Sequence, residues 1–327
     1  MAEGAVAPNP MVGAVIVHNG LIIGEGWHRA YGGPHAEMEA INAVHDKALL
    51  SEATLYVSLE PCSHHGKTPP CADLILHHRI PRVVVACTDP NPLVAGKGIE
   101  KLRDAGVDVE VGVMEAEARW LNRRFITFHS LSRPYVVLKW AQTADGFVDA
   151  ERGPGSTPLK ITGPATDVLM HRRRSQEMAI MVGSGTALAD DPALTVRHVQ
   201  GRQPLRVLID GQLRVPPSAR LLSDGITTLV INLIREGTDG AVTYAKVSAI
   251  DPKEILNVLF GSGIQSVLIE GGPTLQRAFI ASGLWDEAIS ITSSTAIGNG
   301  VAAPLVRAME RECIEAGGDT IRYLFRS

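Results

Sequence analysis

The sequence is short of the residue types that would mark it as secreted, membrane-spanning or nucleic-acid-binding. Among 327 residues there are four cysteines, and aromatics make up only 5%. Cys62, Cys71, Cys87 and Cys313 are too few and too scattered for the disulfide framework of a secreted domain. The close pair Cys62 and Cys71 therefore reads as metal-binding or catalytic, and Cys87 in "RVVVACTD" and Cys313 near the C-terminus read as structural. No apolar run approaches the roughly 18 residues that a membrane helix needs. The start "MAEGAVAPNP" lacks the basic and apolar regions of a signal peptide, so a cytoplasmic protein is expected. Charge of one sign is missing too: a formal net charge of −4 gives no broad attraction to nucleic acid or anionic membrane, although "HRRRS" (171–175) is a local basic patch. Small-molecule chemistry is the expectation. No internal repeat or low-complexity tract occurs.

What is present is an alternation. The length favours two domains, each able to bury its own core. Strand-like "MVGAVIV" and "LIIGEGW" flank the turn "HNG", followed by a helix from about Ala36, the run "TLYVSL", a helix from Cys71 and the run "RVVVAC". After "GVDVEVGVM", the stretch "EAEARWLNRRFITFHSL" reads as one helix. The segment "SRPY" is the best linker, because its proline follows a helix and precedes the strand-like "YVVLKWAQ". That places a boundary near Ser132 and predicts domains over 1–131 and 132–327. In the second half "EMAIMVGSG", "LRVLID", "TTLVINL", "SVLIEGG" and "EAISITSS" read as strands, with helices such as "DPKEILNVLFGSG" between them. The pattern is that of two α/β layer domains.

Two stretches carry the chemistry of the first half. "GPHAEMEAINAV" (33–44) sets His35 and Glu37 just after a proline, and "LEPCSHHGKTPPCADLIL" (59–76) holds Cys62 and Cys71. Catalytic zinc takes three protein ligands and keeps one position open, and one His with two Cys is an accepted set. Pro34 and the pair Pro69-Pro70 each precede a helix, so His35 and Cys71 would stand at helix N-termini, where the dipole favours a thiolate. Glu37 suits proton transfer better than ligation, since hydrolytic attack on an amine-bearing ring carbon needs protons delivered to ring nitrogen and to departing ammonia. The set resembles the H-x-E with P-C-x-x-C signature of zinc nucleobase deaminases, except that eight residues separate the cysteines. His64 and His65 could also be ligands, but three ligands already suffice, which makes them substrate-side residues.

The insert between the cysteines narrows the resemblance. "EPCSHHGKTPPC", with "PNPMVGAVIV" and "DPNPLVAGKG" (89–98), closely resembles the bifunctional deaminase/reductase family of riboflavin biosynthesis, and the likeness continues through "LKWAQTADGFV", "GSGTALADDPALTVR" and "LIEGGPTL". It implies a cytidine-deaminase-like three-layer domain followed by a dihydrofolate-reductase-like α/β domain. It also implies zinc held by His35, Cys62 and Cys71, Glu37 as proton shuttle, and Asn9, His28, His64, Lys67 and Asn91 lining a pocket for a phosphoribosylamino pyrimidine. The second half has no G-x-G-x-x-G, but the glycine turns in "VGSGTALADDP" and "VLIEGGPTLQRAF" can seat a pyrophosphate on backbone N–H groups. By resemblance Thr162, Thr186, Asp190, Gly271, Gly272, Pro273 and Thr274 contact NADPH, and Lys139, Arg174, Leu194, Arg197 and Glu270 face the sugar-phosphate substrate. Arg174 and Arg197 suit a phosphate, and Glu270 suits sugar hydroxyls. The chain departs from the family pattern in three places: only seven residues precede Pro8, where the family has a helix; Lys160 stands in "PLKITG" where an aromatic is usual; and Gln142 replaces a small residue.

The expected partners are therefore the phosphoribosyl pyrimidine and further copies of the chain, with no nucleic acid and no membrane. Two other readings compete: a working deaminase with a degenerate reductase-like module, and a deaminase acting on a flipped nucleic-acid base, for which a basic face and a C-x-x-C spacing are expected.

Overall fold

The computed structural model describes residues 4–63, 69–92, 94–151 and 157–326. The chain divides into two compact units, Met1–Ser132 and Arg133–Ser327. Local chemistry sets the division. Ser132 ends the last helix of the first unit with φ of 51°, and Arg133 gives its guanidinium to Asp286 through two bonds of 2.7 Å, which ties it to the second unit.

In the first unit β1 (Gly13–His18) and β2 (Leu21–Trp27) form a hairpin over Asn19-Gly20, both at positive φ, as the tight primed turn requires. There follow α1 (Ala36–Ala43), β3 (Thr54–Val57), α2 (Cys71–His77), β4 (Arg82–Val85), α3 (Lys97–Asp104), β5 (Asp108–Val111), α4 (Glu115–Leu121) and α5 (Arg123–Leu131). The sheet order is β2-β1-β3-β4-β5, antiparallel at β2-β1-β3 and parallel at β3-β4-β5. Alternate strand residues such as Ile16, Leu55 and Val83 share one core with Ile41 of α1, Ile75 of α2 and Leu102 of α3. A smaller cluster joins Ala118 of α4 and Phe125 of α5 to Leu59 and Cys87, just past the ends of β3 and β4. This is the expected cytidine-deaminase-like arrangement of helices around a mixed sheet. Helix α1 lies unusually close on β2, because Gly24 and Gly26 face it: a Cβ on either would stand 2.4 Å from backbone atoms of Ala40.

The stretch read as a single helix over 115–131 is two helices, α4 and α5. The break falls at Asn122, which is buried and gives its side-chain amide to another part of the chain. Its Oδ1 accepts the N–H of Met11 at 2.8 Å, and its Nδ2 donates to the Met11 carbonyl at 2.9 Å.

The second unit runs β6 (Tyr135–Gln142), β7 (Phe147–Asp149), α6 (Pro164–Gln176), β8 (Ala179–Gly183), α7 (Ser184–Asp190), β9 (Leu205–Ile209), α8 (Arg220–Ser223) and β10 (Thr228–Asn232). It continues through β11 (Gly237–Asp239), β12 (Val242–Lys246), α9 (Pro252–Gly261), β13 (Ser266–Glu270), α10 (Pro273–Ser282), β14 (Glu287–Thr292), β15 (Val301–Ala302), β16 (Met309–Ala316) and β17 (Asp319–Phe325). Ten strands form one sheet in the order β11-β12-β10-β9-β8-β13-β6-β14-β17-β16, and β15 pairs with β7 apart from it. The stretch from β12 to β14 is parallel throughout. Its inner strands are buried on both faces, as the runs "AIMV", "RVLI" and "SVLIE" require. The hairpin β16-β17 escapes the sequence reading, because β16, "MERECIEA", is a charged and mostly exposed edge strand.

Asn122→Ala is expected to lower the stability of the first unit by about 1–2 kcal/mol, since it leaves both polar backbone groups of Met11 without their partner. Urea denaturation against the wild type measures it, and an unchanged midpoint would show that the bonds contribute nothing.

Candidate active sites

In the first unit three ligand atoms converge. His35 is the N-cap of α1 and Cys71 the first residue of α2, as their prolines predicted, and Cys62 lies on the turn after β3. His35 Nδ1 stands 3.6 Å from Cys62 Sγ and 3.3 Å from Cys71 Sγ, and the three ligand atoms lie within 4.8 Å of one another. The turn is pinned to α2 by two bonds from α2 backbone: Cys71 N–H to Cys62 Sγ at 3.3 Å and Ala72 N–H to the Cys62 carbonyl at 3.1 Å. Tetrahedral zinc with its usual bond lengths sets ligands roughly 3.6 Å apart, so the set fits that ion. The two thiols titrate as a pair. A hydrogen bond from Cys71, helped by His35, pulls the Cys62 thiol down to about 4, and the same bond with burial pushes Cys71 far above its ordinary value. One proton leaves readily and the second stays unless a dication compensates it.

Glu37, in the first turn of α1, is buried at 3% exposure, and burial lifts its carboxyl to about 7. It lines a cavity of about 330 Å³ together with His35, Cys62, Asn9, His28 and Asn91. His28 is fully engaged. Its Nδ1 must carry the proton, because it meets the Pro34 carbonyl at 2.9 Å, so Nε2 accepts from the Asn9 amide at 3.0 Å. That fixes the amide of Asn9 within the wall. Asn91 is held by its own N–H on Asp89 Oδ1 at 2.8 Å. His64 and Lys67 lie outside the described residues. Tyr31, Asp89 and Phe125 also line the cavity and were missed; only Asp89 carried a signal, as the first residue of the "DPNP" stretch.

The second unit holds a cavity of about 840 Å³ by Glu270 and Gly271, which end β13 and begin the turn after it, and it is lined by every residue the sequence named for the reductase site. Gly271 and Gly272 take φ of +88° and +76°, and a Cβ on Gly271 would press on Thr186 at 3.1 Å, so the two glycine turns face each other closely. Thr274 follows at the start of α10, whose N-terminal N–H groups can meet an anion. Leu194 is buried with φ of 51°, and Asp190 closes α7.

Glu270 is buried beside two cations. Arg174 grips it through Nε at 2.6 Å and Nη2 at 2.7 Å, and Lys139 Nζ stands 3.7 Å away. Burial alone would raise this carboxyl, but Arg174 and Lys139 outweigh it and hold it at about 2. Arg174 Nη1 reaches the Thr195 carbonyl at 3.1 Å, so the fork expected to meet a phosphate is committed to protein here. Exposed Arg197 and His198 face the same cavity. His171, missed by the sequence reading, accepts the Arg197 N–H at 2.9 Å and stacks edge-on against His198. Burial and Arg174 push its pKa down to about 4. Lys160 and Thr162 both bond Asp167, at 2.7 Å each, and the Gln142 amide accepts the Trp140 indole N–H at 2.8 Å.

Comparison with known proteins agrees with this division. Residues 1–87 match the cytidine and deoxycytidylate deaminase zinc-binding region, and residues 134–311 match the RibD C-terminal domain. The chain is 41% identical to riboflavin biosynthesis protein RibD of Aquifex aeolicus, over 92% of this chain and 85% of that one, and 38% identical to RibD of Escherichia coli, over 89% and 83%. Among solved structures, Acinetobacter baumannii RibD superposes with a TM-score of 0.90 at 36% identity, covering 100% of this chain and 95% of that one. A Thermotoga maritima diaminohydroxyphosphoribosylaminopyrimidine deaminase/5-amino-6-(5-phosphoribosylamino)uracil reductase gives 0.88 at 34% identity, with the same coverage.

The Glu270 carboxyl sits below its ordinary 4.5, so its contribution to stability is present above pH 4.5 and is lost as pH falls toward 2. Glu270→Gln is expected to flatten the pH dependence of unfolding between those values. Parallel stability curves for the two proteins across that window would refute the pairing.

Proposed function

The chain belongs to the RibD family, bifunctional zinc deaminases and NADPH reductases of riboflavin biosynthesis, and we propose how its own residues divide the two reactions. The reading rests on one observation: an imidazole and two thiols within 4.8 Å of one another, beside a buried carboxylate, in the unit that matches a zinc-binding deaminase region.

His35, Cys62 and Cys71 hold the zinc, which supplies a water activated at neutral pH. Glu37 would carry two protons in turn: the first from the water to the ring nitrogen of the diaminopyrimidine, and the second from the hydroxyl then on the ring carbon to the departing ammonia. A carboxyl near 7 suits both directions of transfer. Asn9, oriented by His28, and Asn91 read the pyrimidine edge, and the family resemblance assigns His64 and Lys67 to substrate binding.

In the second unit, NADPH supplies the hydride that converts the ribose to a ribityl chain. Thr162, Thr186, Asp190 and the run from Gly271 to Thr274 would seat the dinucleotide, and the N–H groups at the start of α10 would suit its pyrophosphate. Lys139, Leu194 and Glu270 face the sugar. Arg197 takes the phosphate, and Arg174 holds the Glu270 carboxylate in place. Both substrates are multiply charged at neutral pH and do not leak through membranes, which supports a cytoplasmic setting. Among the described residues no helix is long and apolar enough to cross a membrane. Two exposed apolar side chains, Leu305 at 90% and Met309 at 60% exposure, support a homo-oligomer, which light scattering tests directly.

Cys62→Ser is expected to lose zinc and ammonia release together, and full zinc retention would remove the ligand assignment. Glu37→Gln should keep zinc and lose about 10²–10⁴-fold in deamination, with the reductase rate on deaminated substrate unchanged. A fragment of residues 133–327 is expected to oxidise NADPH with that substrate, and Arg197→Ala within it to raise KM far more than it lowers kcat. Absence of NADPH oxidation by both fragment and whole chain, with deamination intact, would favour the degenerate-module reading.

A further inference from the structure

Glu60 stands two residues before Cys62 and is buried at 4% exposure, yet neither reaction above uses it. Its carboxylate gathers four backbone donors. Oε2 accepts the N–H of Asp89 at 3.2 Å and of Gly96 at 2.9 Å, and Oε1 accepts those of Gly98 at 2.9 Å and Ile99 at 3.3 Å. Gly98 and Ile99 lie in the first turn of α3, whose N-cap Gly96 has no side chain to offer. Glu60 therefore caps α3 from a distant point in the chain, with the charge sign that a helix start prefers. Helix α3 in turn presses on the Cys62 turn: a Cβ on Gly98 would fall 1.9 Å from the Pro61 carbonyl oxygen. Asp89 passes the constraint to the pocket, since its Oδ1 holds the Asn91 N–H at 2.8 Å, and Asp89 and Asn91 both line the deaminase cavity.

We propose that Glu60 is a positioning residue for deamination: its carboxylate sets the Asp89–Asn91 wall of the pyrimidine pocket at a fixed distance from the Cys62 turn. The proposal rests on the reading that Asn91 contacts the substrate. The wall binds the ring in the ground state and the transition state alike, so loosening it weakens binding more than it slows the chemical step. A merely structural anchor would instead be felt in folding and in zinc retention.

The test is steady-state deamination by the zinc-loaded full chain carrying Glu60→Gln, Asn91→Ala, or both. Glutamine keeps the volume but turns one acceptor oxygen into an NH₂ group that faces backbone donors. Glu60→Gln is expected to keep its zinc and raise KM about tenfold, with kcat within about threefold of wild type. In the Asn91→Ala background the same change should add little, because the wall has lost the group it positions. Wild-type parameters in Glu60→Gln, full additivity of the two changes, or loss of zinc and kcat at unchanged KM would each overturn the proposal. An unchanged KM in Asn91→Ala alone would overturn it as well, but by removing the substrate role of Asn91, so the two failures are told apart. Should Glu60→Gln fail to fold, Glu60→Asp, which keeps the charge one methylene short of the same donors, is measured against the same criteria.

Discussion

The first unit is organised by the meeting of two helix starts beside the turn that follows β3. His35 occupies the N-cap position of α1 and Cys71 opens α2, and the Cys62 turn is bound to α2 by Cys71 and Ala72 backbone N–H groups. The neighbouring parts serve that meeting. Helix α1 can lie close on β2 only because Gly24 and Gly26 present no Cβ to Ala40. A larger residue at either position would lift α1, and His35 with it, away from the cysteines. The thiols cannot both ionise so near each other without a compensating dication, which is why proton affinity falls on Cys62 and climbs on Cys71.

The second unit solves a related problem with paired charges. Its cavity takes in Glu270 at the end of β13 and the glycine turn that follows, where ligands of open parallel sheets generally bind. A carboxylate as buried as Glu270 is tolerated because Arg174 and Lys139 stand beside it. The two glycine turns approach until Thr186 touches Gly271, which leaves backbone amides rather than side chains to meet a phosphate. Lys160, which lines this cavity, is anchored together with Thr162 on Asp167.

Much of this was legible in the sequence because it depends on short-range chemistry. Prolines before His35 and Cys71 announce helix starts, "HNG" announces a hairpin, and unbroken apolar runs announce strands buried on both faces. A histidine and two cysteines near such starts point to a metal by residue type alone. Those features predicted the α/β class, the two halves and a candidate ligand set, whereas the residues that line the second cavity were named by the family resemblance.

Tertiary structure decided the pairings between distant points. The break at Asn122 comes from a partner 111 residues away, the commitment of Arg174 from one 96 residues away, and the cap of α3 from Glu60, 36 residues before Gly96. Periodicity and propensity register only what neighbouring residues do, so a polar side chain bound for a remote backbone looks, in the sequence, like one that faces water. His171 and His198 entered the second cavity in the same unannounced way, since a helix and a loop meet there only after the sheet has formed.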